Sequence, residues 1–206
     1  MKSLIVFIAL VILAPVSLSV AAGPMKLRPY TGIGILLLSV APGVNGEKPL
    51  FLNLYEEPAI SRLGELNGDT LPPYDWIFGM NSYTLPLIVT ARKGNWLRVV
   101  YDDVGREAWL MPQRQGAFHT WDSFFKGRLG RFLPGLHKQY YQFFQEPGKG
   151  ALLTPLPKKG FKIVKLKDDW ALVMPDQNSL VWLRWRDEDG RLLIGLEQDS
   201  ATKPLT

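Results

Sequence analysis

Two histidines, nineteen acidic residues and no cysteine bound the chemistry open to this 206-residue chain. His119 and His137 are well separated along the chain. A zinc centre of the ordinary kind needs more imidazole or thiolate than that. The lack of thiols also removes a cysteine nucleophile, disulfides and a lipid-modified cysteine. Asp187-Glu188-Asp189-Gly190 has the composition of a calcium loop. Setting Gly190 at that loop's glycine, however, puts Trp185 at the first ligand position and Leu196 where the bidentate glutamate belongs. The stretch reads as a turn. No Gly-x-x-x-x-Gly-Lys or Gly-x-Ser-x-Gly occurs, and Gly32-Ile33-Gly34 lacks the third glycine of a dinucleotide loop. A carboxylate pair for glycoside hydrolysis stays open, although no pattern nominates two of the nineteen acids. The expectation is a protein that is not an enzyme, with no catalytic residues, cofactor or metal.

What remains is aromatic chemistry. Residues 87–110 and 161–183 follow one plan: strand, tight turn, return strand, second turn, closing strand. The first turns are Lys93-Gly94-Asn95 and Lys167-Asp168-Asp169. Trp96 matches Trp170, and Trp109 matches Trp182 at almost the same offset, which marks a duplicated unit. Strand periodicity puts Leu97 and Val99 on one face and Trp96 and Arg98 on the other. Ala171 and Val173 likewise oppose Trp170 and Leu172. With the small aliphatics inward, Trp96 and Trp170 face outward, where an indole can stack on a sugar ring, a proline or an extended peptide. The competing reading packs each tryptophan under a loop or against the other unit. Trp109 and Trp182, on the closing strands, read as core.

The segments GNWLRV and DDWALV, followed on the closing strands by Ala108-Trp109-Leu110 and Val181-Trp182-Leu183, resemble bacterial SH3-like (SH3b) domains. Ala108 and Val181 stand where that family usually has glycine. LFLNLYEE at 50–57 is similar to the strand leading into the family's long first loop. The resemblance covers roughly half of the chain after the leader. It implies small β-barrels that serve as cell-envelope binding or protein-interaction modules. It also places Trp96 at a ligand-contacting position, with Tyr55 near a matching aromatic one.

The positioning elements follow from the rest of the chain. Residues 1–22 combine Lys2, an apolar run, Pro15 and small residues at 19–22, the pattern of a cleaved secretory leader; the alternative is a short uncleaved anchor. Residues 25–30 read as a tail, and 33–40 as a strand buried on both faces. A long loop at 67–85 carries Tyr74 and Trp76, two further candidates for ligand contact. Between the copies, Thr120 can cap a short helix with Trp121, Phe124 and Phe125 on its apolar side, ended by Gly127. A second helix is expected from Pro134 to about Gln145. The second copy has no long aromatic loop and reads as reduced, and 185–194 reads as a hairpin turning at Glu188-Asp189-Gly190.

The expected architecture is therefore mainly β: two small SH3-like antiparallel barrels joined by a short helical linker. The divisions are a signal peptide at 1–22, a first barrel at 23–111, a linker at 112–150, a reduced second barrel at 151–197 and a tail at 198–206. A net charge of +5 without a dense basic run gives no nucleic-acid site. After leader cleavage no stable membrane span remains. The expected role is a periplasmic or secreted protein that binds peptidoglycan or an envelope protein through Trp96, Trp170, Tyr55, Tyr74 and Trp76. The alternatives are an accessory subunit of an envelope complex and a carboxylate-dependent wall hydrolase. Oligomeric state is not written in the sequence.

Overall fold

The computed structural model describes residues 28–40, 52–81, 83–152, 160–176 and 178–197. The expected leader, most of the entry to the second meander and the expected tail lie outside the described residues. The first antiparallel sheet contains β1 (Gly34–Ser39), β2 (Asn53–Glu57), β3 (Ile60–Glu65), β4 (Thr84–Lys93), β5 (Trp96–Val100), β6 (Glu107–Leu110) and β7 (Gly116–Thr120), in the order β3-β2-β6-β5-β4-β1-β7. The second contains β8 (Leu129–Phe132), β9 (Phe143–Glu146), β10 (Lys149–Leu152), β11 (Phe161–Lys167), β12 (Trp170–Met174), β13 (Val181–Arg184) and β14 (Ile194–Leu196), in the order β10-β9-β13-β12-β11-β8-β14. Strand for strand, the order is the same.

The duplication is thus wider than the tryptophan meanders. A register shift falls between Val89 and Ala91 in one copy and between Ile163 and Lys165, the equivalent place, in the other. A bulge of this kind twists its strand, so both copies bend their longest strand at the same point. The second copy is not reduced. Its hairpin β9–β10 stands where the first copy has β2–β3. The sheets themselves are open, with edges at β3 and β7 and at β10 and β14, rather than closed barrels.

No helical linker occupies 112–150. That stretch supplies β7 to the first sheet and β8, β9 and β10 to the second. Helix α2 (Trp121–Phe125) is present, with Thr120 Oγ1 accepting the Ser123 N–H at 3.4 Å. The helix expected after Pro134 is not. One 3-10 turn at Lys138–Tyr140 leads instead into β9. The apparent helical spacing there gives way to a strand period. Phe143 points into the second core, and Phe144 turns to the opposite face beside Trp170. The expected long loop is also structured: it holds a 3-10 turn at Gly68–Thr70 and helix α1 (Asp75–Phe78), which ends at Gly79 in the left-handed region.

Two hydrophobic cores result, and they share strands. Leu36 and Leu38 of β1 join Leu87, Val89, Leu97, Val99, Ala108 and Leu110 in the first core. Ile35 and Ile88, on the opposite side of the same strands, enter the second core with Phe161, Ile163, Ala171, Val173 and Leu183. Helices α1 and α2 plug that core with Ile77, Phe78, Trp121, Phe124 and Phe125. The first sheet therefore covers part of the second core, and the copies are fused along a seam.

Polar bonds fix the seam. Trp121 Nε1–H donates to the Thr31 carbonyl at 2.7 Å, and the Arg131 guanidinium donates to the Trp76 carbonyl. Residues 28–30 are not a free tail. Arg28 pairs with buried Asp187 at 2.9 Å, the Leu192 N–H donates to the Pro29 carbonyl at 3.0 Å, and Arg191 lies over the Tyr30 ring. Asp187 also accepts the Arg191 N–H, closing the hairpin turn at 188–190.

The matching hairpins offer a test of backbone conformation. Pro58-Ala59 turns β2 into β3, and Pro147-Gly148 turns β9 into β10, with φ of 63° at Ala59 and 74° at Gly148. A side chain in the left-handed region is strained where glycine is not. Ala59→Gly is expected to raise stability by about 0.5 kcal/mol, after the greater freedom of glycine in the unfolded chain is subtracted. A urea titration checks this.

Candidate aromatic faces

The return strands β5 and β12 position the candidate site by simple alternation. Leu97 and Val99 are buried in the first core, and Ala171 and Val173 in the second. Trp96 and Trp170 accordingly point away from the cores and are half-buried. Neither stands alone. Tyr55 of β2 meets Trp96 edge to face, with ring centroids 5.3 Å apart and planes at 89°. Phe144 of β9 meets Trp170 in the same way, at 5.1 Å and 84°. The hairpin arm of each copy delivers the aromatic, and the same arrangement is built twice.

Trp109 and Trp182 belong to these outer faces and not to the cores. Ala108 and Leu110 fill the first core from β6, and Val181 and Leu183 fill the second from β13. The tryptophans between them must point the other way. Trp109 sits directly across from Tyr55 on one side and Arg98 on the other, and is buried there. Trp182 sits across from Phe144 with Lys165 Nζ 5.8 Å from its ring.

The first face is framed by charge. Arg98 Nε meets Glu107 at 2.6 Å, and Lys93 stands across from Trp96. On the second, the Arg184 guanidinium lies 5.3 Å over the Trp170 ring, is paired with Glu188, and Glu188 accepts the Tyr140 hydroxyl at 2.7 Å. That hydrogen bond is the main cause of both shifts there: the Tyr140 hydroxyl is pushed up and the Glu188 carboxyl held below its usual range. Such faces offer stacking, cation–π contact and hydrogen bonds.

No family model, curated protein or solved structure matches the chain.

The other sequence-nominated residues lie elsewhere. Tyr74 packs against the second core, edge to face with Phe78 at 6.4 Å, and burial pushes its hydroxyl up to about 12. Trp76 packs against the same core, its carbonyl held by Arg131. Both belong to the seam. The structure therefore joins Trp96 with Tyr55, sets Trp170 at the equivalent place in the other copy, and removes Tyr74 and Trp76 from either face. Phe144 was missed, although the sequence carried a signal for it: Tyr55-Glu56-Glu57-Pro58 reappears as Phe144-Gln145-Glu146-Pro147.

Among the described residues no three histidine or acidic side chains are grouped to hold a metal, and no helix is long and apolar enough to cross a membrane. His119 lies on β7 across from Ile35, and His137 is exposed before the 3-10 turn. A cleft of about 490 Å³ opens at the seam beside Met80, Asn81, Thr84 and Arg128, with Glu197 as its carboxylate. A paired-carboxylate mechanism needs a second acid that this lining does not provide.

Beside the first face, the turn at 102–106 is held by Asp102. Burial pushes its carboxyl up, but the Arg106 N–H at 2.8 Å, the Arg106 guanidinium and the Gly105 N–H outweigh that and hold it below the usual range. A carboxyl lowered in the folded state contributes stability above its unfolded pKa of about 3.9, and loses it as pH falls through the folded value. Asp102→Asn is expected to flatten the acid limb of stability below about pH 4, measured by denaturant unfolding at a series of falling pH values.

Proposed function

We propose that this chain is an exported, non-enzymatic binding protein of two SH3-like units that attaches to peptidoglycan or to a cell-envelope protein through its outward aromatic faces. One observation carries the reading: an arm aromatic set edge to face on a return-strand tryptophan, away from the core, in both copies. Buried packing alone does not require a half-exposed tryptophan at the same outward position twice. The SH3-like assignment is supported by the arm hairpin β2–β3, which stands where the resemblance puts the family's long first loop. Export to the periplasm or beyond is supported by the leader pattern at 1–22.

The test is retention on purified sacculi, native and protease-treated, for wild type, Trp96→Ala and Trp170→Ala. Wild type is expected to be retained, and loss of a face that carries binding is expected to weaken retention about tenfold or more. Retention lost on protease treatment assigns the partner to protein, and retention that survives assigns it to the wall. Wild-type retention no better than that of an unrelated basic protein defeats the reading.

A further inference from the structure

The seam covers one part of the first sheet, and the second copy leaves the same part of its own sheet bare. Ile88 pairs with Ile35, both are essentially inaccessible in the second core, and Val100 packs beside them. The register shift follows Val89 in one copy and Ile163 in the other, so Lys162 stands where Ile88 stands. Lys162 pairs with Leu129 on β8 and with Met174 on β12, the counterparts of Ile35 and Val100. Leu129 is 48% exposed. Val173 pairs with Val181, so continuing that register sets Leu180 across from Met174, and Leu180 is 58% exposed. Two leucines and a lysine thus lie open where the first copy is buried.

Charge follows the same strand. Lys162, Lys165 and Lys167 all point outward from β11 and are exposed, the last two about 7 Å apart along the chain. The first copy has Ile88, Ala91 and Lys93 at these positions, so the column of charge belongs to the second copy. Across from it stand Leu172 and then Trp182 in one row, and Trp170 in the next. None of the three lysines forms an ion pair among the described residues. The nearby acids have other partners. Asp169 holds Arg186, Asp176 accepts from Asn178 and Ser179, Asp122 accepts the Leu166 N–H, and Glu146 stands across from Lys149. Asp168 lies in the turn beyond Lys167.

We infer that this part of the second sheet docks on an anionic lipid bilayer, with the lysine column at the lipid phosphates and Leu129 and Leu180 at the acyl boundary. Charge decides against a second copy of the chain, because two such columns repel each other. The leucines decide against a soluble polyanion, which offers nothing apolar to cover them. A bilayer interface meets both needs. Lysine stems lie along apolar neighbours while their ammonium groups reach phosphate, and indoles such as Trp182 favour the same boundary. The Lys165 ammonium already lies 5.8 Å from the Trp182 ring, which keeps charge and aromatic together at one level. The docking is peripheral and requires no spanning segment. It goes beyond the attachment proposed above, since it uses the lysine edge of one sheet and a different class of surface.

The experiment is flotation of the protein, purified after export, with vesicles of phosphatidylcholine and phosphatidylglycerol in equal parts. Variants are compared with one another, so whatever residues 1–22 contribute is common to all. Wild type is expected to float with the vesicles and to be released by salt. Lys162→Gln, Lys165→Gln and Lys167→Gln together are expected to cost about 100-fold in affinity, about fivefold for each lysine. Leu129→Ser with Leu180→Ser is expected to cost about tenfold, and both leucines are exposed enough that the far-UV spectrum stays unchanged. Arg62→Gln, Lys93→Gln and Arg114→Gln together remove the same charge from the first copy and are expected to leave affinity within about twofold. Four results overturn the inference: no flotation of wild type, wild-type affinity in the β11 lysine variant, an equal loss in the charge-matched variant, or no loss in the leucine variant. The last of these assigns the column to a soluble polyanion or an acidic protein. Sacculi contain no bilayer, so retention on them tests the wall or protein attachment separately, whatever the vesicles show.

Discussion

Trp121→Ala is expected to destabilise the protein by about 4 kcal/mol, through a cavity in the second core and an orphaned carbonyl in the seam. The indole is buried, stacked on Phe125 at 5.4 Å, with the Phe78 and Trp185 rings each at 5.9 Å. Its Nε1–H is the donor to the carbonyl of Thr31, far back along the chain. Trp121→Phe retains most of the packing and loses that hydrogen bond, so about 1–2 kcal/mol is expected for it. Denaturant unfolding followed by circular dichroism measures both. The shape of the curve matters as much as its midpoint. Independent copies would unfold in two steps, and the alanine variant would move only the second. Because Ile35 and Ile88 of the first sheet sit in the same core as Trp121, one transition is expected, and the whole of it shifts.

This shared core is the part of the molecule that the sequence hid. The alternation at Trp96-Leu97-Arg98-Val99 was legible because a strand has period two and its inward residues are aliphatic. The strand at Gly34–Ser39, with apolar residues on both faces, was legible for the same reason, and its two faces turn out to feed two different cores. The four strands that flank α2 and complete the second arm were not legible. Leu136, Tyr140, Phe143 and Phe144 lie at helical spacing by coincidence: Leu136, in a loop, packs against the second core, Tyr140 ends the 3-10 turn, Phe143 is buried in that core and Phe144 turns to the outer face. Trp109 was misplaced because a large aromatic on a closing strand has two ways to be buried. Here the arm buries it from outside, and no local pattern reports contact with a strand as distant in sequence as the one that carries Tyr55. Tyr74 and Trp76 looked like open loop aromatics because α1 has a single turn, too short to declare itself by periodicity.

That single turn is also where one added methyl group is expected to do much harm. A Cβ at Gly195 would lie 2.2 Å from the Ile77 carbonyl oxygen and 3.0 Å from Leu133 Cδ2. The first of these is backbone and cannot rotate aside. Helix α1 has little room to retreat either, because Arg131 holds its Trp76 carbonyl and the Gly79 N–H closes its end on Asp75. Moving it off β14 would draw Ile77 and Phe78, both essentially inaccessible, out of the second core. Gly195→Ala is therefore expected to cost about 3 kcal/mol, near the upper end for overpacking. Gly116→Ala is the control, since its Cβ would meet the ends of Leu38 and Leu36 side chains at 2.7 and 2.8 Å. Those can change rotamer, and about 1 kcal/mol is expected. Urea midpoints of the two variants, compared at one temperature, decide the matter; equal losses would mean that α1 is not pinned on β14. Trp96 and Tyr55 pack in neither core, whereas α1 is embedded in the second. The folded fraction of Gly195→Ala should then bind a ligand of that face with wild-type affinity, which separates the seam that holds the copies together from the surface that one of them presents.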